Sequence, residues 1–303
     1  MINVVYMGTP QYAKVILDEL INTKDIKVTL VLTQPDRPVG RKKILTPPPV
    51  KELALQNNIE ILQPNRLKDE GIKEKIEAKK PDFIVVAAFG QILPKEILDI
   101  APCINLHASI LPKYRGASPI QQALLNGDEY SGVTAMLMDE GLDTGDILAF
   151  SYIKTKEAPT LDLMTQKLSH LAAKLTPKVL KEFNSIKPLP QLNAISSKCK
   201  KITKQDGLID FSDATTLYKK YCAFFGWPGV FLESGLKLSD IELIEKEKSY
   251  KSGEVLEILD DSIIVGCIKG AIKIGTIQPP SKAKMSAKAY LVGKRIKLGD
   301  TLS

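Results

Sequence analysis

Residues 1–20 read MINVVYMGTPQYAKVILDEL, and their pattern decides the class of fold. Residues 2–7 form an apolar run of the length of a short buried strand. Gly8-Thr9-Pro10 then turns the chain, and Ala13, Ile16, Leu17 and Leu20 recur at the 3.6-residue spacing of a helix with one buried face. The same unit repeats outward from this start. Strands are expected at 27–33, 60–62, 83–88 and 103–106, with helices near 50–57, 66–79 and 117–126 between them. Such alternation predicts a Rossmann-like open sheet, mainly parallel, with helices on both faces. Strand-like runs at 133–138 and 147–153 and a long helix at about 161–183 complete a first domain of residues 1–184.

Residues 185–204, SIKPLPQLNAISSKCKKITK, mix proline, serine and lysine without periodicity and read as a linker. Beyond it the pattern changes. One helical stretch at 214–225 precedes strand-like runs at 230–232, 237–244, 253–259, 262–268 and 271–277. Short strands at that spacing predict a second domain, 205–303, built as a smaller OB-like β-barrel.

The 303 residues are 44% hydrophobic and 25% charged, a balance suited to two packed domains rather than to disorder. Lys and Arg number 42 against 35 Asp and Glu, a net charge of +7. The excess is uneven: up to Asn184 there are 23 basic and 22 acidic residues, and the remaining 119 residues hold 19 and 13. A polyanionic partner would therefore be met mainly by the C-terminal part. Cys103, Cys199, Cys222 and Cys267 are scattered and include no C-x-x-C pair, which argues against a disulfide framework or a zinc site. The first ten residues lack the charged start of a signal peptide, and the longest apolar run, 83–89, falls far short of the ~20 residues that span a bilayer. A cytoplasmic protein without a membrane segment is expected.

Three stretches could carry chemistry. The first turn lacks G-x-G-x-x-G, and Pro10 removes an amide that a phosphate cradle would use, so it reads as a tight structural turn rather than a dinucleotide site. The segment CINLHASILPKYRGASPI, 103–120, is denser. In an extended strand Asn105 and His107 project to one face, Ile104 and Leu106 to the other, so an amide and an imidazole converge at a strand end, where open parallel sheets place ligands. The alternative is a structural pair in which His107 bonds a loop carbonyl. His170, in a helical pattern, reads as structural. In DEGLDTGD, 139–146, two glycines would let the backbone turn tightly and bring Asp143 or Asp146 to the sheet edge, where a carboxylate could orient an imidazole. The alternative there is a solvated acidic turn, and D-x-D-x-D-G calcium spacing is absent.

Together these residues resemble the folate-dependent formyltransferases. Asn105-x-His107, SILPKYRG at 109–116 and GLDTGD around Asp143 carry the likeness. End to end, the chain is similar to the members of that family that formylate methionyl-tRNA. GTP at 8–10, TQPDRPVGRKK at 33–43, AAFGQILP at 87–94, FGWPG at 225–229 and MSA at 285–287 fall in the same order. The departures are small: Ala108, Ile110 and Ala117-Ser118 stand where Gly, Leu and Ala-Ala are commoner.

The resemblance implies transfer of a formyl group from 10-formyltetrahydrofolate, without a metal, to the α-amine of initiator methionyl-tRNA, for translation initiation. It implies Asn105, His107 and Asp143 as the catalytic set. The folate would lie along Phe89, Gly90, Ile92 and Leu93 and along Asp139 and Gly141, with Ser109, Ile110, Leu111 and Pro112 as part of its wall. The long loop 34–49 would otherwise read as a solvated charge run. The resemblance brings its Arg37, Arg41, Lys42 and Lys43 to the tRNA acceptor arm, assisted by lysines around 198–204 and in the second domain. A monomer is implied. Glycinamide ribonucleotide as acceptor would leave the basic second domain without a use, and the amino group of a sugar nucleotide is the closer rival. A tRNA-binding protein without catalysis is disfavoured, because all three catalytic residue types are present.

Overall fold

The computed structural model describes residues 1–40, 42–157 and 159–302. The chain divides into two compact units, one of 1–119, 130–154 and 164–200, the other of 120–129, 155–163 and 201–303. The first contains β1 (Ile2–Gly8), α1 (Gln11–Asn22), β2 (Ile26–Leu32), β3 (Arg37–Val39), β4 (Ile44–Thr46), α2 (Pro49–Gln56), β5 (Ile61–Leu62), α3 (Ile72–Glu77), β6 (Phe83–Ala87), α4 (Lys95–Leu98), β7 (Cys103–His107) and β8 (Arg115–Gly116). Next comes α5 (Pro119–Asn126), which from Ile120 onward belongs to the second unit. The first unit resumes with β9 (Tyr130–Leu137), β10 (Ile147–Lys154), most of α6 (Leu161–Glu182) and β11 (Lys198–Cys199).

Seven strands form one sheet in the order β10-β9-β7-β6-β1-β2-β5. From β5 to β7 they are parallel, and β9 and β10 are antiparallel additions at the edge. Alternation along each strand buries both faces. Val5, Met7, Leu30, Leu32, Ile84 and Val86 meet Ile72 and Ile76 of α3 and Ile97 of α4 in one core. Tyr6 points the other way, and its hydroxyl donates to the carbonyl of Ala13 in α1 at 2.6 Å. That face also holds Phe83, whose ring meets Phe183 edge-on at 5.0 Å. This is the two-sided burial that a parallel sheet requires.

The first turn is tightly packed. A Cβ at Gly8 would come within 2.7 Å of the Ala13 side chain, so glycine allows strand and helix to approach closely. Pro10 caps α1, where a missing N–H costs nothing. Thr9 donates to the Phe89 carbonyl at 3.1 Å and accepts from the Gln34 amide at 3.4 Å, tying together the chain just beyond β1, β2 and β6. The helix expected at 66–79 is shortened to Ile72–Glu77, because Gly71 adopts a left-handed φ of 79° and Asp69 turns the chain before it by accepting from the Arg66 amide. Loop 34–49 contains the short hairpin β3–β4.

Residues 185–200 lie along the first unit. Leu189 and Ile147 exchange two backbone hydrogen bonds of 2.9 Å, and β11 pairs in parallel with β8. In the second unit α7 (Ala214–Ala223) is followed by β12 (Val230–Phe231), β13 (Lys237–Glu245), β14 (Val255–Ile258), β15 (Ile263–Gly266), β16 (Ala271–Gln278), β17 (Met285–Ser286) and α8 (Ala287–Lys294). Its antiparallel sheet runs β12-β13-β16-β15-β14, with β17 on β16. One core gathers residues of its first and last strands, Val230 and Val255, with Leu217 of α7 and Leu291 of α8. Among the described residues no helix is long and apolar enough to cross a membrane.

Candidate active site

The site begins at the C-terminal end of β7. Ile104 and Leu106 are buried in the sheet, and the alternate residues Asn105 and His107 share the opposite side. His107 is 7% exposed and its Nε2 lies 2.9 Å from the carbonyl oxygen of Tyr114. A carbonyl can only accept, so Nε2 carries a hydrogen and Nδ1 is the ring atom left for proton exchange. Nδ1 faces Oδ1 of Asp143 at 3.6 Å. That separation exceeds a hydrogen bond, so the carboxylate lies beside Nδ1 without bonding to it. Asn105 donates one Nδ2–H to the same Oδ1 at 3.3 Å.

Asp143 arrives on the turn between β9 and β10. The Asp139 carboxylate closes that turn by accepting from the Thr144 hydroxyl at 2.7 and 2.9 Å and from the Gly141 amide at 3.0 Å. The two glycines serve close approach: a Cβ at Gly141 would sit on the Thr144 hydroxyl, and one at Gly145 on the Leu137 carbonyl oxygen. Asp143 itself takes a left-handed φ of 53°, a conformation tolerated by Asp and favoured where surroundings fix it. Its Oδ2 accepts from the Gly116 amide at 2.8 Å.

Segment 109–116 is built from below. Thr134 in β9 donates to the Ser109 carbonyl at 2.7 Å and accepts from the Leu111 amide at 3.0 Å, while Ser109 donates to the Lys113 carbonyl at 2.6 Å. Tyr114, at a left-handed φ of 62°, aims its carbonyl at His107. Cys199 lies against this loop, its sulfur 3.3 Å from the Ser118 amide, and burial, with the Asp143 charge adding to it, pushes its thiol up.

The structure thus brings Asn105, His107 and Asp143 into one cluster, with Asp139 and Gly141 on the same turn as Asp143. Ser109 and Leu111 are buried in the adjoining segment, Ile110 and Pro112 partly so. Phe89 and Leu93 send their side chains into the sheet core, so this stretch presents main chain, the exposed Gly90 and the 78% exposed Ile92. Arg37 is exposed on β3 and donates to Gln34 at 3.2 Å; Lys42 and Lys43 are exposed beside it, and Arg41 lies outside the described residues. None of these basic residues is bonded to the Asn105–His107–Asp143 cluster among the described contacts. Asp146 contributes its carbonyl to the Leu137 amide at 2.8 Å, and His170 is exposed on α6. Among the described residues no group of His, Cys, Asp and Glu is placed to hold a metal. Sequence reasoning missed Tyr114 and Gly116 as partners of the pair, because they act through main-chain atoms that any residue possesses.

Comparison with known proteins supplies the context. A family model described as formyl transferase matches residues 2–180, and a second, formyl transferase C-terminal domain, matches 201–295. The methionyl-tRNA formyltransferase of a Nitratiruptor species is 57% identical over 300 residues, covering 98% of this chain and 99% of that one. Among solved structures, an N-formyltransferase of Helicobacter canadensis in complex with folinic acid and dTDP-3-aminofucose superposes with a TM-score of 0.68 at 19% identity, over 90% of this chain and 98% of that one. The methionyl-tRNA formyltransferase from Clostridium thermocellum gives a TM-score of 0.58 at 20% identity, over 88% and 100%. Both share the fold.

Proposed function

The chain belongs to the formyl transferase family, and from that membership we propose that it moves the formyl group of 10-formyltetrahydrofolate to the α-amine of initiator methionyl-tRNA. The observation that carries this is the convergence of Asn105 and His107 on Asp143 at the end of β7, in a chain 57% identical to a methionyl-tRNA formyltransferase along nearly its whole length. The neutral α-amine attacks the formyl carbon. A C–N bond forms and the carbonyl electrons collect on oxygen. Asn105 has a second Nδ2–H beyond the one given to Asp143, and that donor stabilises the oxyanion, a contribution of about 3 to 4 kcal/mol in comparable sites. As the oxyanion collapses, the bond to N10 breaks and its electron pair takes up a proton, while the amine gives one up. His107 Nδ1 is placed to relay a proton in this exchange, since Nε2 is held by the Tyr114 carbonyl. Asp143, beside Nδ1, is the group that orients the ring for that relay. The net change is a formyl group moved one way and a proton the other.

The folate is proposed to lie along 87–93 and 139–143, with 109–112 as part of its wall. Backbone groups suit a pterin's fixed donors and acceptors, in keeping with a stretch whose Phe89 and Leu93 side chains face the core. The acceptor arm of the tRNA is met by Arg37, Arg41, Lys42 and Lys43, by lysines around 198–204 and by the basic second part. Presentation of Arg37, Lys42 and Lys43 on an exposed hairpin supports that role. The chain acts in the cytoplasm as a monomer, through a catalytic domain of 1–184, a linker of 185–204 and a tRNA-binding domain of 205–303. Incubating the protein with labelled 10-formyltetrahydrofolate and either charged initiator tRNA or a nucleotide-linked amino sugar tests the reaction. Label is expected on the tRNA; label on the sugar alone would overturn the assignment.

A further inference from the structure

Gln191 lies in segment 185–200, far in sequence from the site, yet its side-chain amide is engaged on three sides. Nε2 donates to the carbonyl oxygens of Asp143 at 3.0 Å and Gly145 at 2.7 Å, and Oε1 accepts from Nε of Arg115 at 2.9 Å. Reversing the amide would set its oxygen against two carbonyls and its N–H groups against another N–H, so these partners fix its orientation. Arg115 is only 5% exposed and makes a second bond, from Nη1 to Oδ1 of Asn193 at 3.0 Å. Its two chain neighbours are the residues that hold the reacting pair: the Tyr114 carbonyl on His107 and the Gly116 amide on Asp143. Gln191 therefore closes a ring that runs from His107 through 114–116 to the turn of Asp143 and back to His107.

We propose that Gln191 is a positioning residue for formyl transfer, clamping the turn that carries Asp143 so that its carboxylate stays on Asn105 and His107. This role rests on the reaction proposed above. The turn needs such a clamp, because Asp143 sits at a left-handed φ that persists only where neighbours fix it, and the carbonyls of Asp143 and Gly145 would otherwise lose a part-buried donor. The paired backbone bonds of Leu189 with Ile147 and the Asn193–Arg115 contact anchor the chain on either side of Gln191. A carboxylate displaced by about 1 Å is enough to slow a reaction as much as a hundredfold.

The test is single-turnover formyl transfer by full-length Gln191→Met, which keeps the bulk and removes both donors, and by Gln191→Glu, which keeps the length and the Arg115 partner but sets oxygen against the two carbonyls. Each is expected to lose about ten- to a hundredfold in the rate of the chemical step, with KM for methionyl-tRNA changed by less than about threefold. In an Asp143→Ala background, the same Gln191 substitutions should cost almost nothing further, because the group being positioned is gone. Wild-type rates in either folded variant, or an undiminished loss in the Asp143→Ala background, would overturn the proposal. Failure of both variants to fold would do so too, by placing Gln191 in the scaffold. An inactive wild-type protein would sink the assigned reaction instead, which keeps the two failures apart.

Discussion

Asp143 meets four groups at once: its carboxylate takes the Gly116 amide and an Asn105 N–H, faces His107 Nδ1, and its carbonyl takes Gln191. Replacement by alanine is expected to remove the orientation of His107 and slow transfer by at least about a hundredfold. If His107 relays the proton as proposed, His107→Ala is expected to slow transfer by about 10² to 10⁴. If Asn105 is the oxyanion donor as proposed, Asn105→Ala is expected to cost about 10² to 10³. Single-turnover rates beside circular dichroism would check all three, and a near-normal rate in a folded variant would strike that residue from the set. The convergence of Asn105 and His107 was legible from their spacing of two in a strand. Asp143 was one of two aspartates that the glycine turn allowed, and only the resemblance chose between them. Gln191 was not legible, since its partners lie 46 to 76 residues away and a glutamine among prolines looks like any polar linker residue.

Elements that rest on local rules were read well, and those that rest on single backbone angles were not. The apolar runs of β1, β2, β6 and β7 appear where expected, whereas Gly71 at a left-handed φ cuts α3 short and α8 hides in the mixed pattern AKAYLVGK. Hairpin β3–β4 escaped notice because its residues are all exposed and carry no alternation of polarity. If Lys42 and Lys43 on this hairpin neutralise phosphates, changing both to alanine should weaken tRNA binding and leave folate binding intact. The slope of log K against log salt should then become shallower by about one for each phosphate no longer neutralised. A matched fall in folate affinity, read by fluorescence titration, would speak against it. Helix α7 offers a test of capping. Asp213 accepts from the Thr216 amide at 2.5 Å, and that bond chiefly holds its carboxyl below the usual carboxylate range. A lowered folded pKa stabilises above the unfolded value of about 4 and is lost as pH falls through the folded value. Asp213→Ala should therefore cost about 1 kcal/mol at pH 7 and less in acid, as urea unfolding at pH 7 and pH 3 would report. An equal cost at both pH values would deny the ionised cap.

Across the whole molecule, the charge excess that the sequence assigns to its C-terminal part belongs to the surface, and the four dispersed cysteines belong to the interior. All four thiols are buried, and burial pushes Cys103 and Cys267 up to about 12. Native protein at pH 8 is expected to leave a thiol reagent such as DTNB unreacted, with four equivalents appearing in guanidinium; rapid reaction of a native thiol, followed by absorbance, would contradict this packing. The second unit takes in 120–129 and 155–163 besides 201–303, and that exchange between sequence neighbourhoods leaves no compositional trace. The position of Gln191 has a consequence for synthesis on the ribosome. Strands β1 to β7 leave the exit tunnel first and hold enough apolar surface to begin packing, so Asn105 and His107 come to stand on a formed strand early. The clamp on Asp143 and the pairing of β11 with β8 wait for residues 189–199 to emerge. If Gln191 positions Asp143 as proposed, a nascent chain is expected to begin folding before it is competent, with competence set by the length already translated.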